Sequence, residues 1–202
     1  MIPIIQDYKT IILVDGSFPE HSIPLSFLKN AERIICCDGA TTNLLKYGLE
    51  PDFIVGDLDS LPNELREKYT SIIYHDSDQE TNDLTKAIQF CKNNKWESIT
   101  ILGATGKRED HTLGNLSLLT DYAEYITVQM LTDYGVFLPQ LKTTEYESFT
   151  RQHISIFCIS SDTQITTKRL KYPVQDRMFT SWWQGSLNEA LSTSFEIIMN
   201  RG

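Results

Sequence analysis

An excess of positive charge, a long apolar run and clustered cysteines are all missing from this sequence, and each absence removes a class of function. Lysine and arginine total 18 against 27 aspartates and glutamates, a formal net charge of −9. A surface of that sign repels phosphate backbones and anionic lipid, so neither nucleic acid nor a membrane is expected as the main partner. No stretch approaches the roughly 18 consecutive apolar residues of a spanning helix. Met1–Lys9 has neither the basic nor the apolar region of a secretion signal, so a cytoplasmic location is the default expectation. The four cysteines, Cys36, Cys37, Cys91 and Cys158, include no C-x-x-C pair and no zinc-like spacing. They read as buried, reduced thiols. Repeats and low-complexity segments are absent as well.

What is present is ordinary globular composition, 41% hydrophobic and 10% aromatic over 202 residues, enough for one sizeable core or two smaller ones. From Thr10 to about Leu131, β-branched runs alternate with helical stretches, the pattern of a mostly parallel sheet covered by helices. Strands are expected at Thr10–Val14, Arg33–Cys37, Phe53–Val55, Ser71–Tyr74, Ser98–Leu102 and Ile126–Leu131. Leu84, Ala87, Ile88 and Cys91 share one face of a helix expected over Thr81–Asn93, and the S-x-x-E spacing of Ser77 and Glu80 suggests a capping box at its start. A second helix is expected over Asp110–Tyr122. Beyond Asp133 come short strand-like segments such as HISIFCIS and FEIIM. The expected architecture is therefore α/β, a Rossmann-like domain over residues 1–135 followed by a smaller all-β, sandwich-like domain over 136–202.

In open α/β sheets, ligands bind beyond the carboxyl ends of the strands. Here those ends run into acid or glycine: Asp15-Gly16, Asp38-Gly39, Gly56-Asp57-Leu58-Asp59, Asp76 with Asp78 and Gln79, and Gly103-Ala104-Thr105-Gly106. A turn or an N-cap accounts for Asp15 or Asp76 taken alone. Asp57 with Asp59 exceeds what a turn needs. Two carboxylates about 5 Å apart repel by roughly 3 kcal/mol at an effective dielectric near 20, and a cation reverses that sign. Hard oxygen ligands without histidine or thiolate favour Mg²⁺ or Mn²⁺, which usually accompany phosphate. Gln79 and Asp83, spaced i, i+4, are expected on a helix face with Lys86, opposite the apolar stripe, where solvation explains Lys86 equally well. GATGKREDHTLGN joins a glycine turn, Lys107 and Arg108, and a helix start that favours an anion. It is not a Walker A loop. His111 and Asn115 share one face of that helix.

Taken in order, CDGA (37–40), VGDLDS (55–60), DQETND (78–83) and GATGKREDHTLGN (103–115) resemble the signature of thiamine pyrophosphokinases, and LKYPV (170–174) with GSLNEA (185–190) resembles the family's markers in its β domain. The resemblance implies transfer of pyrophosphate from ATP to the hydroxyl of thiamine, with Mg²⁺ required. It places Asp38, Asp57, Asp59 and Asp83 in the acidic site that handles Mg²⁺ and the pyrophosphoryl group, the last three as metal ligands, with Gln79 beside them. Asp38, Thr105, Lys107, Arg108, Asp110 and His111 fall on the nucleotide side. Tyr172, Ser186 and Asn188 fall on the thiamine side, in a homodimer whose subunits share the pocket. Asp83 is read as a metal ligand, with the role of base left open. Trp182 and Trp183, read as neighbours on a strand, would face opposite ways, so at most one lines the pocket. Three positions depart from the family pattern: Lys107 where glycine usually repeats, Leu187 in place of a serine, and Asp15 where asparagine is common. Two rivals remain. An aspartyl phosphatase would carry its D-x-D after the first strand rather than the third. A non-catalytic nucleotide or thiamine sensor would have no need of all four acids.

Overall fold

The computed structural model describes residues 1–160 and 162–200. The chain forms two compact units, Asp7–Pro139 and a second made of Met1–Gln6 with the segment from Gln140 onward.

The first unit is a seven-stranded sheet in the order β4-β3-β2-β1-β5-β6-β7. Its strands are β1 (Thr10–Leu13), β2 (Arg33–Cys37), β3 (Phe53–Gly56), β4 (Ile73–His75), β5 (Ser98–Leu102), β6 (Thr127–Leu131) and β7 (Val136–Phe137). All neighbours pair in parallel except β6 with β7. The helices are α1 (Ser22–Lys29), α2 (Ala40–Tyr47), α3 (Asn63–Lys68), α4 (Asp83–Asn93), α5 (Glu109–Ser117) and α6 (Leu119–Ala123). Successive side chains of a strand point to opposite faces, so β1 sends Ile12 into a core with Leu84, Ile88 and Cys91 of α4, and Ile11 and Leu13 into another with Leu28 and Leu44 of α1 and α2. Burial on both faces explains why these strands read as near-continuous apolar runs.

The six expected strands are all present, with β4 displaced by two residues because Thr70–Ile72 forms a 3₁₀ turn ahead of it. The expected boundary at 135 cuts off β7, a two-residue antiparallel addition too short to show periodicity. Residues 1–6 belong with the second unit, where Ile2 bridges to Tyr146. The capping box at Ser77 and Glu80 is not formed. Asn82 caps α4 instead, its Oδ1 accepting from Thr85 N at 2.8 Å. Asp78 takes the preceding turn, accepting from Glu80 N at 3.0 Å. The helix expected over Asp110–Tyr122 is divided at Leu118.

The second unit is all-β. A four-stranded antiparallel sheet runs β11-β10-β13-β8, where β8 is Thr144–Glu147, β10 Gln164–Lys168, β11 Arg177–Met178 and β13 Ser194–Asn200. A two-stranded ribbon pairs β9 (His153–Ile154) with β12 (Asn188–Glu189). Among the described residues no helix is long and apolar enough to cross a membrane.

Candidate active site

The strand order reverses at β1, which pairs with β2 on one side and β5 on the other. Loops leaving β1 and β5 therefore diverge to opposite faces and open a crevice at the carboxyl edge. Here the two loops meet backbone to backbone: Gly16 N donates to Gly103 O at 2.7 Å and Ser17 N to Thr105 O at 2.8 Å. A Cβ on Gly16 would stand 2.3 Å from Gly103 O and 2.4 Å from Thr105 O, so the approach requires glycine. Lys107 takes a φ of 59°, the left-handed conformation that glycine adopts freely, and its Nζ reaches Asp15 Oδ1 at 2.7 Å. Lysine in a glycine position is thus accommodated with the backbone shape kept.

Arg108 forks onto Asp110, with Nε to Oδ1 at 3.1 Å and Nη2 to Oδ2 at 2.6 Å. That pairing, with a further bond from His111 N, holds the Asp110 carboxyl down at about 2. His111 is exposed at the start of α5. Asn115 is buried one turn on, donating to Ala104 O at 2.9 Å and accepting from Asn82 at 3.2 Å, so it ties the β5 loop to the start of α4.

The acids gather one strand over. Cys37 of β2 is registered against Val55 of β3, so the next residues, Asp38 and the Gly56-Asp57 step, leave the sheet side by side. Asp38, Asp57 and Asp59 each offer an oxygen, all within 4.8 Å of one another. Leu58 between them has a φ of 70°, which turns both flanking acids inward. Asp59 N donates to Asp57 Oδ1 at 3.1 Å, Gln79 Nε2 to Asp57 Oδ2 at 3.3 Å, and Ser60 N to Asp38 Oδ2 at 2.9 Å. The bonds from Asp59 and Gln79 keep the Asp57 carboxyl below its usual range. Asp38 is the opposite case. It is only 2% exposed, its Oδ1 has no protein partner, and burial raises its carboxyl from 3.8 to about 6. A buried carboxylate oxygen among further carboxylates is relieved by a proton or by a cation.

Asp83, expected among the metal ligands, lies next to this triad, its charge bearing on Asp38 and Asp57. Its Oδ1 accepts from Lys86 Nζ at 3.3 Å, and burial raises its carboxyl. Asp38, expected in the acidic site as well as on the nucleotide side, is one of the three clustered acids. Gln79 precedes α4 rather than sharing a helix face with Asp83. Lys86, for which a solvated face was one of two equal readings, is 3% exposed. Its long side chain turns back toward the helix start, where its charge acts on Asp83, Asp57 and Asp78. A helical wheel does not show that, although a lysine three residues after Asp83, just past Asp76, Asp78 and Glu80, was a usable signal.

In the second unit, Tyr172, Ser186 and Asn188 line one cavity of about 440 Å³, with Pro173, Arg177, Phe179 and Trp183. Asn188 is spent on structure: its Oδ1 accepts from Tyr172 N at 3.0 Å and its Nδ2 donates to Tyr172 O at 2.7 Å. It presents the exposed tyrosine ring, and Lys171 Nζ lies 5.4 Å from that ring's centre. Ser186 Oγ donates to Trp183 O at 2.7 Å. Trp182 and Trp183 lie on a 3₁₀ turn, not a strand. Trp183 lines the cavity, while Trp182 packs edge-on to Phe157.

Fold and site together define an open α/β protein with an acidic cluster at its carboxyl edge that could hold a cation and an aromatic-lined cavity in an appended β unit. Comparison with known proteins narrows this. The family model for the thiamin pyrophosphokinase catalytic domain matches residues 25–130, and that for the thiamin pyrophosphokinase substrate-binding domain matches residues 135–201. The chain belongs to the thiamin pyrophosphokinase family. It is 28% identical over 204 residues to the thiamine pyrophosphokinase of Bacillus subtilis, covering 96% of this chain and 92% of that one. With Thiamin pyrophosphokinase 1 of Caenorhabditis elegans it is 32% identical over 99 residues, 45% of this chain but 40% of the nematode protein. The match to a rice relative spans 30% of that protein. Among solved structures, the Bacillus subtilis enzyme superposes with a TM-score of 0.74 at 23% identity, over 96% of this chain and 95% of that one. The Candida albicans enzyme gives 0.72 at 20%, over 98% and 92%. At such identities the superpositions speak for the fold.

Proposed function

We propose that this chain transfers the pyrophosphoryl group of ATP to the hydroxyl of thiamine, giving thiamine diphosphate and AMP. The observation that carries the reading is the triad of Asp38, Asp57 and Asp59 at the carboxyl edge of a family-matched sheet, with one buried carboxylate oxygen lacking any protein partner. Three hard oxygen donors fit Mg²⁺, which keeps several waters and usually bridges carboxylates to phosphate. Bound there, Mg²⁺ would neutralise charge on the phosphate oxygens of ATP.

The remaining work belongs to the chain. The hydroxyl oxygen of thiamine bonds to the β-phosphorus, the bond from that phosphorus to the α–β bridging oxygen breaks, and AMP leaves carrying that oxygen. Asp83 is the proton acceptor in this reading rather than a ligand. It lies outside the triad, and its raised carboxyl suits a general base better than an acid at its ordinary value. Lys107 and Arg108, on the β5 loop, serve the nucleotide phosphates, with Thr105 contributing to the same loop and Asp110 and His111 at the start of α5. Arg108 comes to that role already oriented by Asp110.

Thiamine is an apolar cation and calls for an aromatic face, which the acidic edge does not offer. Tyr172 and Trp183 offer one in the β-unit cavity, with Ser186 at its wall. The working unit in this reading is a homodimer, the acidic edge of one chain completed by the cavity of its partner. A cytoplasmic location accords with the need for ATP and with the free thiols at Cys36, Cys37 and Cys91.

Incubation with ATP, Mg²⁺ and thiamine, followed by chromatography, tests the proposal. Thiamine diphosphate should form only when all three are present, and Asp57→Asn should lose most of the turnover. Failure of the wild-type protein to form thiamine diphosphate would overturn the assignment.

A further inference from the structure

Leu58 separates the two less buried acids of the triad, Asp57 and Asp59, in a left-handed conformation, φ 70°. A leucine has no intrinsic reason to stay there, because its Cβ crowds the backbone. If it relaxed to the right-handed or extended region, the backbone between Asp57 and Asp59 would rotate and the two carboxylates would diverge. Something must hold it. The carbonyl of Leu58 is the natural point of control, since its direction fixes the link from Leu58 to Asp59.

Two donors converge on that carbonyl. One is local: Leu61 N at 3.3 Å. The other comes from α3, where Arg66 sends Nη2 to Leu58 O and Nε to Leu61 O, the latter at 2.9 Å. Helical side chains lean toward the helix start, so Arg66, fourth of the six residues of α3, reaches back over the turn that precedes the helix. The fork of the guanidinium is rigid, and two carbonyls three residues apart fill two of its donors. Among the described residues Arg66 makes no ion pair, so its fork is committed to this turn.

We propose that Arg66 is a positioning residue of the acidic site: by gripping the carbonyls of Leu58 and Leu61 it keeps Leu58 left-handed and thereby keeps Asp57 and Asp59 turned toward Asp38. This rests on the metal-site reading above. Arg66 touches none of the reacting groups and acts on the metal only through the carboxylates.

The test is Mn²⁺ binding to the full chain without substrates, followed by electron paramagnetic resonance, for the wild type, Arg66→Gln and Arg66→Lys, alongside steady-state kinetics and thermal unfolding. Removing an outer partner of a metal ligand typically weakens binding about tenfold or more, and that loss is expected for Arg66→Gln. Its kcat should fall while KM for thiamine stays within about twofold, as expected when only groups acting on the transition state are displaced. Arg66→Lys, with one donor head in place of a fork, should fall between. Adding Leu58→Gly to Arg66→Gln should return Mn²⁺ affinity toward the wild type, because glycine takes φ 70° freely. Unchanged Mn²⁺ affinity in Arg66→Gln, or no recovery in the double variant, would overturn the proposal. Should Arg66→Gln not fold, Arg66→Lys is read by the same criterion. Absence of Mn²⁺ binding by the wild type would instead overturn the metal-site reading, and this inference with it.

Discussion

Replacing Asp38 by asparagine should stabilise the metal-free protein, by an amount that grows with pH. Asp38 is 2% exposed, and its carboxyl is raised from 3.8 to about 6 by burial, with the carboxylates of Asp83 and Asp59 adding to the rise. A group whose folded-state value is raised leaves stability intact below its unfolded value and removes it as pH climbs through the folded one. The shift at Asp38 thus costs the fold roughly 1.5 kcal/mol at pH 5, where the folded carboxyl is mostly protonated, and roughly 3 kcal/mol at pH 8, where it is ionised and the full difference is reached. Asparagine keeps an oxygen for Ser60 N, now 2.9 Å from Asp38 Oδ2, and presents an amide donor to Asp57 and Asp59 in place of a third negative charge. Chemical denaturation in EDTA at pH 5 and pH 8 measures the difference between variant and wild type, so other titrating groups cancel. That difference should favour the variant at both values and about double between them. Saturating Mg²⁺ should reverse its sign, because only the wild type gains the binding free energy. A variant less stable than the wild type at pH 8 in EDTA, or a gap that does not change with pH, would refute the reasoning.

Lys86→Met should cost about 1–3 kcal/mol, short of the 3–5 kcal/mol for a fully buried pair because the Asp83 side chain keeps 29% of its exposure. Unaltered denaturation midpoints would show that Lys86 is not holding Asp83. Mixing inactive Asp57→Asn with inactive Tyr172→Ala under subunit exchange should return about a quarter of wild-type activity, since half the dimers are mixed and each then has one intact site. No recovery after verified exchange would mean that each chain builds its own site.

The sheet was legible because its strands are buried on both faces and announce themselves as apolar runs, and because their exits carry acid or glycine. Asp57 and Asp59 could be singled out since two acids exceed the needs of one turn. The helix face drawn through Gln79, Asp83 and Lys86 does not form as expected. Helical periodicity was extended back past Asn82, whereas the true cap puts Gln79 in the preceding turn, and periodicity says nothing of where a long side chain bends. Asp38 was placed among the acids by the family resemblance and not by any local pattern. Its place in the triad depends on the register of Cys37 against Val55, a pairing between separate segments that no local pattern encodes. Residues 1–6 were assigned to the wrong unit on similar grounds, since a bridge at Ile2 leaves no periodic trace.

The identity of the nucleotide product tests the central claim most directly. With ATP, Mg²⁺ and thiamine supplied, attack at the β-phosphorus requires AMP to appear in step with thiamine diphosphate, one for one, and only when thiamine is present. Release of ADP in its place, or of phosphate without thiamine, would contradict the account.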